Sequence, residues 1–93
     1  MLATLAALLL SGAGADTAFY RAEPAAAPAQ NRVIAGELVW RCGAGACTAA
    51  SSGARPLIEC QGLVRAVGKV KSFAAGGTAL PPEQLERCNA RAR

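Results

Sequence analysis

Four cysteines in a chain of 93 residues constrain the fold more than any other feature of this sequence. They are Cys42, Cys47, Cys60 and Cys88, and their even number allows every thiol to be paired. A domain of this size buries only a modest apolar core, so it usually needs a further source of stability. Disulfide bonds provide that stability if the chain reaches an oxidising compartment.

Residues 1–15 have the pattern of a signal peptide. Residues 2–10 form an uncharged apolar run that is too short to span a bilayer, and Ala13 and Ala15 are small residues suited to signal peptidase. No Lys or Arg precedes the run, which indicates either a start further upstream or a weak signal. A buried N-terminal helix is the alternative. The pattern predicts a periplasmic or secreted protein that begins near Asp16 and has no transmembrane span after cleavage.

Residues 16–32 are predicted to be an extended, Ala/Pro-rich leader. Pro24 and Pro28 disfavour a helix, and the segment has few large side chains that could pack. Phe19 and Tyr20 are the exceptions, so the segment is either a disordered arm or an arm anchored by these two rings. A single domain is then predicted over residues 33–90, followed by a frayed tail at residues 91–93.

The first half of this domain is predicted to be an antiparallel meander. Residues 32–35 and 37–42 are β-rich runs on either side of Gly36, and residues 47–49 return after a glycine-containing turn. Strict alternation in the second run places Leu38, Trp40 and Cys42 on one face and Arg41 on the other. Trp40 is therefore expected in the core.

The second half is predicted to contain two helices. Residues 57–67 carry one apolar stripe, Pro56 suits the first turn, and Gly68 is placed to end the helix. Residues 70–73 and 78–80 are short strands, and residues 81–88 form the second helix with Cys88 facing inward. The expected fold is α+β, with a small antiparallel sheet and two short helices packed on one side, held by disulfides.

The spacing of the cysteines favours one pairing among the three that are possible. A Cys42–Cys47 bond closes a short loop across the glycine turn, and a Cys60–Cys88 bond ties the two helices together. Loop-closure entropy gives roughly 2 kcal/mol for the first bond and roughly 3.5 kcal/mol for the second. The alternatives are a zinc protein or a thiol-redox protein, although the sequence lacks the close C-x₂-C pairs typical of both.

The charge balance is basic, with ten Lys and Arg against six Asp and Glu and a net charge of +4. Arg41, Arg65, Lys69 and Lys71 are candidates for one basic face that binds an anionic envelope component weakly. The alternative is a solvated surface that serves solubility. Nucleic acid is not an expected partner, because aromatic residues make up only 4% of the chain and base stacking needs them.

No catalytic constellation is evident, and no cofactor is expected. The sequence contains no histidine, which removes the usual general base and the commonest metal ligand. Ser51 and Ser52 have no base near them in the sequence. The single carboxylates are expected at solvated positions: Glu37, Glu59, Glu83 and Glu86. The sequence therefore predicts a non-catalytic structural or protein-interaction module, whose partner would use an apolar patch or an exposed sheet edge.

Short segments along the whole of residues 19–89 form a recognisable pattern. They are residues 19–23 (FYRAE), residues 39–42 (VWRC) followed by Cys47, Arg55-Pro56 leading to Cys60, Val70, Phe73, Gly77, Leu80, Leu85, and Cys88-Asn89. In this pattern the chain resembles a family of short, signal-bearing alphaproteobacterial secreted proteins with four cysteines and no known activity. The resemblance implies export and disulfide bonds, and it implies no substrate or partner.

Overall fold

A computed structural model describes residues 18–93, which form an α+β domain. Its elements in chain order are β1 (Tyr20–Pro24), β2 (Arg32–Ala35), β3 (Leu38–Gly43), β4 (Ala46–Ala49), α1 (Pro56–Val67), β5 (Val70–Ala75), β6 (Thr78–Ala79) and α2 (Pro82–Asn89). The six strands form one antiparallel sheet in the order β2-β3-β4-β1-β5-β6. The predicted fold class is confirmed, with a larger sheet than the sequence indicated.

The segment predicted as a leader supplies a central strand of this sheet. Tyr20 pairs with Ala49 on β4 and with Ala75 on β5, so β1 has a neighbour on each side. Tyr20, Ala22 and Pro24 are buried, whereas Arg21 is exposed, which is the two-residue period of a half-buried strand. The predicted start of the domain at residue 33 therefore moves to Tyr20. Pro24 is accommodated because it ends the strand, next to an irregularity in the β1–β5 register.

The two helices begin and end close to the predicted positions. Pro56 occupies the first turn of α1, where its missing N–H costs no helical hydrogen bond. The N–H of Gly68 donates to the carbonyl of Val64 at 2.9 Å and closes the last turn. Helix α2 opens with Pro82 and places Glu83 in its first turn, where a negative charge interacts favourably with the helix dipole.

The core lies between the sheet and the helices. Tyr20, Trp40 and Phe73 come from β1, β3 and β5, and their ring centroids are 5.9–6.0 Å apart. Leu63 and Val64 of α1 are fully buried in the same cluster. Aromatic pairs at these separations add to the free energy of burial. The prediction that Trp40 packs into the core is confirmed.

Candidate functional site

Both disulfides have the predicted pairing, Cys42–Cys47 and Cys60–Cys88. Cys42 and Cys47 lie directly opposite each other on β3 and β4, one pair before the Gly43–Ala46 pair that closes the hairpin. The Cys60–Cys88 bond ties α1 to α2, and both of its residues are fully buried. In this oxidised state the four cysteines provide no thiolate that could bind zinc. Two intramolecular disulfides are consistent with an oxidising compartment.

The four candidates for a basic face do not lie on one surface. Arg41 is exposed on β3, and Lys71 is exposed on β5 within the sheet. Arg65 belongs to the last turn of α1, which covers the other face of the sheet, and Lys69 lies in the connection between α1 and β5. The structure therefore separates Arg65 from Arg41.

A different set of basic residues is brought together on the face of the sheet opposite the helices. The registers place Arg32 opposite Arg41, Arg41 opposite Thr48, and Thr48 opposite Arg21. Alternation along each strand keeps these four side chains on the uncovered face. We call Arg21, Arg32 and Arg41 the arginine row. Arg32 and Arg41 are direct cross-strand neighbours, an arrangement in which like charges are destabilising.

Exposed apolar side chains lie beside the arginine row. Ile34 and Val39 are direct cross-strand neighbours on the same face, and they are 71% and 39% exposed. Phe19, immediately before β1, is 40% exposed and lines a groove with Arg21 and Thr48. The uncovered face therefore combines positive charge with an apolar pair, which we call the Ile34–Val39 pair.

One carboxylate lies next to the arginine row and compensates little of its charge. Glu23 Oε2 is 3.9 Å from Arg21 Nη2, and both side chains are about half exposed. An exposed ion pair of this kind contributes little because water screens it. Glu23 Oε1 also accepts a hydrogen bond from Ser72 Oγ at 3.2 Å. Among residues 18–93, no carboxylate forms an ion pair with Arg32 or Arg41.

A partly buried polar network lies on the other side of the sheet. Ser52 Oγ donates to Glu59 Oε2 at 2.6 Å and lies 3.1 Å from the hydroxyl of Tyr20. The Tyr20 hydroxyl is also 3.2 Å from the carbonyl of Ala54, to which it donates. Glu59 was expected at a solvated position, but it is only 8% exposed. The network joins β1, the loop before α1 and the first turn of α1, which is a structural role.

Sequence reasoning missed both Arg21 and Glu59 for the same reason. Arg21 lies on a strand that the sequence did not predict, and Glu59 belongs to a network that reaches Tyr20 on the same strand. The alternation of Tyr20, Arg21 and Ala22 was a signal that could have identified β1. The neighbouring proline obscured that signal.

Residues 18–93 contain no membrane-spanning helix and no metal-binding cluster of side chains. Neither helix in this range is long and apolar enough to cross a bilayer. No cluster of three or more Cys, Asp or Glu side chains in this range could hold a metal ion.

Comparison with known proteins gives one match. The model of a family of unknown function, DUF8200, matches residues 3–90. No curated protein and no solved structure is significantly similar to the chain. The family match covers all of the strands and helices described within residues 18–93. The chain therefore belongs to the DUF8200 family, whose function is unknown.

Proposed function

We propose that this protein is an exported, non-catalytic interaction module that binds an acidic surface of a partner protein. The binding surface is the arginine row together with the Ile34–Val39 pair. Export is supported by the signal-peptide pattern of residues 1–15 and by the two disulfides. The proposal needs no cofactor and no chemical step.

The observation that carries the proposal is the direct opposition of Arg32 and Arg41 on an uncovered face. Solubility needs only scattered charges, and it does not require two arginines at one cross-strand position. Opposed like charges cost stability in the free protein, and an acidic group bound between them removes that cost. Arginine also binds carboxylates through two parallel hydrogen bonds, which gives directional recognition.

The exposed Ile34–Val39 pair completes the surface. Protein interfaces commonly combine an apolar centre with a polar rim, and arginine is enriched in both their centres and their strongest contacts. On this face the apolar pair lies two residues along the strands from Arg32 and Arg41. A partner surface with carboxylates around an apolar patch would fit both features.

The test is photo-crosslinking in the native host from position 48, at the centre of the uncovered face. Thr48 is replaced by a photoreactive phenylalanine, and crosslinked proteins are identified by mass spectrometry. We expect a discrete partner that disappears when Arg21, Arg32 and Arg41 are all changed to Gln. The matched control changes Arg55, Arg65 and Arg87 to Gln, which removes the same charge from the helical side and should retain the partner.

Two outcomes would contradict the proposal. Equal loss of crosslinking in both triple variants would show that only net charge matters. The second outcome is that no protein is crosslinked and the protein instead binds phosphatidylglycerol vesicles. If only the Arg21/Arg32/Arg41 variant loses vesicle binding, the surface binds anionic lipid and not a protein.

A further inference from the structure

The free edge of β2 is a second feature that the arginine row does not explain. Among residues 18–93, strand β2 pairs only with β3 and lies at the edge of the sheet. Ala35 and Leu38 close the hairpin across a two-residue turn, so their backbone groups bond to each other. In an antiparallel ladder bonded and non-bonded pairs alternate, which directs the N–H and C=O of Arg32 and Ile34 away from β3. The bond from Cys42 N to Asn31 O at 2.8 Å follows the same alternation.

A groove of about 530 Å³ lies along this edge. One wall is the connection between β1 and β2, residues 26–30, and the other wall includes Ala66 and Val67 at the end of α1. Val33 and Ile34 of β2 also line it. Most of these side chains are small and apolar, so an extended backbone can approach β2 closely. Unpaired strand edges of this kind readily accept an additional strand.

We infer that the β2 edge binds an extended segment of a partner protein as a seventh strand. Main-chain hydrogen bonds to Arg32 and Ile34 would hold the segment, and its small apolar side chains would enter the groove. The residue of the bound segment that pairs with Arg32 would place its side chain on the uncovered face, next to the arginine row. An acidic residue at that position pairs with Arg32 and offsets the repulsion from Arg41.

Charge decides between a partner segment and a second copy of this chain. Edge-to-edge pairing of two β2 strands would bring two Arg32 side chains, and two arginine rows, close together. Each chain also carries a net charge of +4. An acidic segment has the opposite charge and fits the same edge. This inference rests on the proposed function only for the acidic character of the partner.

The test uses an end-blocked peptide of alternating Glu and Val, about eight residues long, which is enough to span β2. It is titrated into the isotope-labelled, oxidised protein and followed by NMR. We expect saturable shifts at residues 32–35, 66 and 67, with a dissociation constant below about 1 mM. The same peptide with Lys in place of Glu should bind at least about tenfold more weakly, because it opposes Arg32 with a like charge.

Ile34→Pro tests the backbone contribution directly. Proline is tolerated on a strand edge where the N–H faces solvent, so the ladder with β3 is preserved. Loss of the free N–H should weaken peptide binding by about tenfold. Ile34→Ala is the matched control, because it removes the side chain and keeps the N–H. The spectrum of each variant without peptide establishes that it is folded.

The outcomes separate this inference from the proposed function. Absence of binding, or unchanged binding to Ile34→Pro, would overturn strand addition. Shifts confined to Arg21, Thr48 and Ala74 would also overturn it while leaving the uncovered face as the binding surface. A third outcome is that the peptide binds at the β2 edge while the crosslinked partner is unchanged by substitution of the arginine row. That result would support strand addition and contradict the proposed function.

Discussion

The side-chain amide of Asn89 forms two hydrogen bonds with the backbone of Val70. Asn89 Oδ1 accepts from Val70 N, and Asn89 Nδ2 donates to Val70 O, each at 2.9 Å. Val70 begins β5, and β6 pairs with β5 only further along, at Ala74 and Ala75. The Asn89 amide thus occupies the place of a neighbouring strand and attaches the end of α2 to the sheet.

Asn89→Ala should lower the free energy of unfolding by about 2 kcal/mol, because it removes two hydrogen bonds and leaves two backbone groups without partners. Urea denaturation followed by Trp40 fluorescence measures this loss. Gln84→Ala, at an exposed position of the same helix, is the control and should change stability little. Equal effects of the two substitutions would show that the amide pair contributes nothing beyond helix propensity.

Removal of the two disulfides should affect stability unequally. Cys60 and Cys88 are 28 positions apart, whereas Cys42 and Cys47 are 5 apart. Loop-closure entropy predicts a loss of roughly 3.5 kcal/mol for the Cys60→Ala/Cys88→Ala variant and roughly 2 kcal/mol for Cys42→Ala/Cys47→Ala. Urea denaturation of the two variants gives the comparison. A larger loss for the hairpin pair would contradict the assignment of Cys60–Cys88 as the main constraint on the helices.

Ser52→Ala should be more destabilising than Tyr20→Phe. The tyrosine change removes one hydroxyl and costs about 1 kcal/mol. The serine change leaves the buried carboxylate of Glu59 without the donor at 2.6 Å, so about 2 kcal/mol is expected. Ser51→Ala, which alters the exposed neighbouring residue, is the control for this measurement by thermal denaturation. If Ser52→Ala costs no more than Ser51→Ala, Glu59 does not depend on the serine.

Two neighbouring glycines should respond differently to alanine. A Cβ at Gly76 would lie 2.9 Å from the Phe19 ring, whereas a Cβ at Gly77 meets nothing within 4 Å. Both residues have positive φ, so each substitution costs about 1 kcal/mol in backbone strain. Gly76→Ala should cost more because of the ring. The excess, measured by urea denaturation, should vanish when Phe19 is also changed to Ala, and its persistence would exclude the ring as the cause.

Local patterns in the sequence predicted most of the elements. The alternation through Leu38, Trp40 and Cys42 gave both the strand and its buried face. The apolar stripe from Leu57 to Val67 predicted α1. These features depend on neighbouring residues, and the periodicity of a half-buried element is visible within such short segments.

The rest depended on contacts between distant parts of the chain. Strand β1 pairs with β5, about fifty positions away, and no local pattern encodes that pairing. The arginine row depends on the strand order, because it joins β1, β3 and β2 across the sheet. Glu59 accepts a hydrogen bond from Ser52, whose hydroxyl in turn lies 3.1 Å from that of the distant Tyr20. The sequence grouped Arg41 with Arg65, Lys69 and Lys71, whereas the strand order brings Arg41 beside Arg32 and close to Arg21.

The central claim is that the protein is an exported domain closed by two disulfides. The most direct test is its intact mass after isolation from the native host, measured before and after alkylation without reductant. We expect a species that begins near Asp16, is lighter by the two hydrogens that each disulfide removes, and does not react with the alkylating reagent. After reduction the same sample should take up alkyl groups at all four cysteines. A species that retains residues 1–15, or that is alkylated without reduction, would contradict an exported, disulfide-closed module.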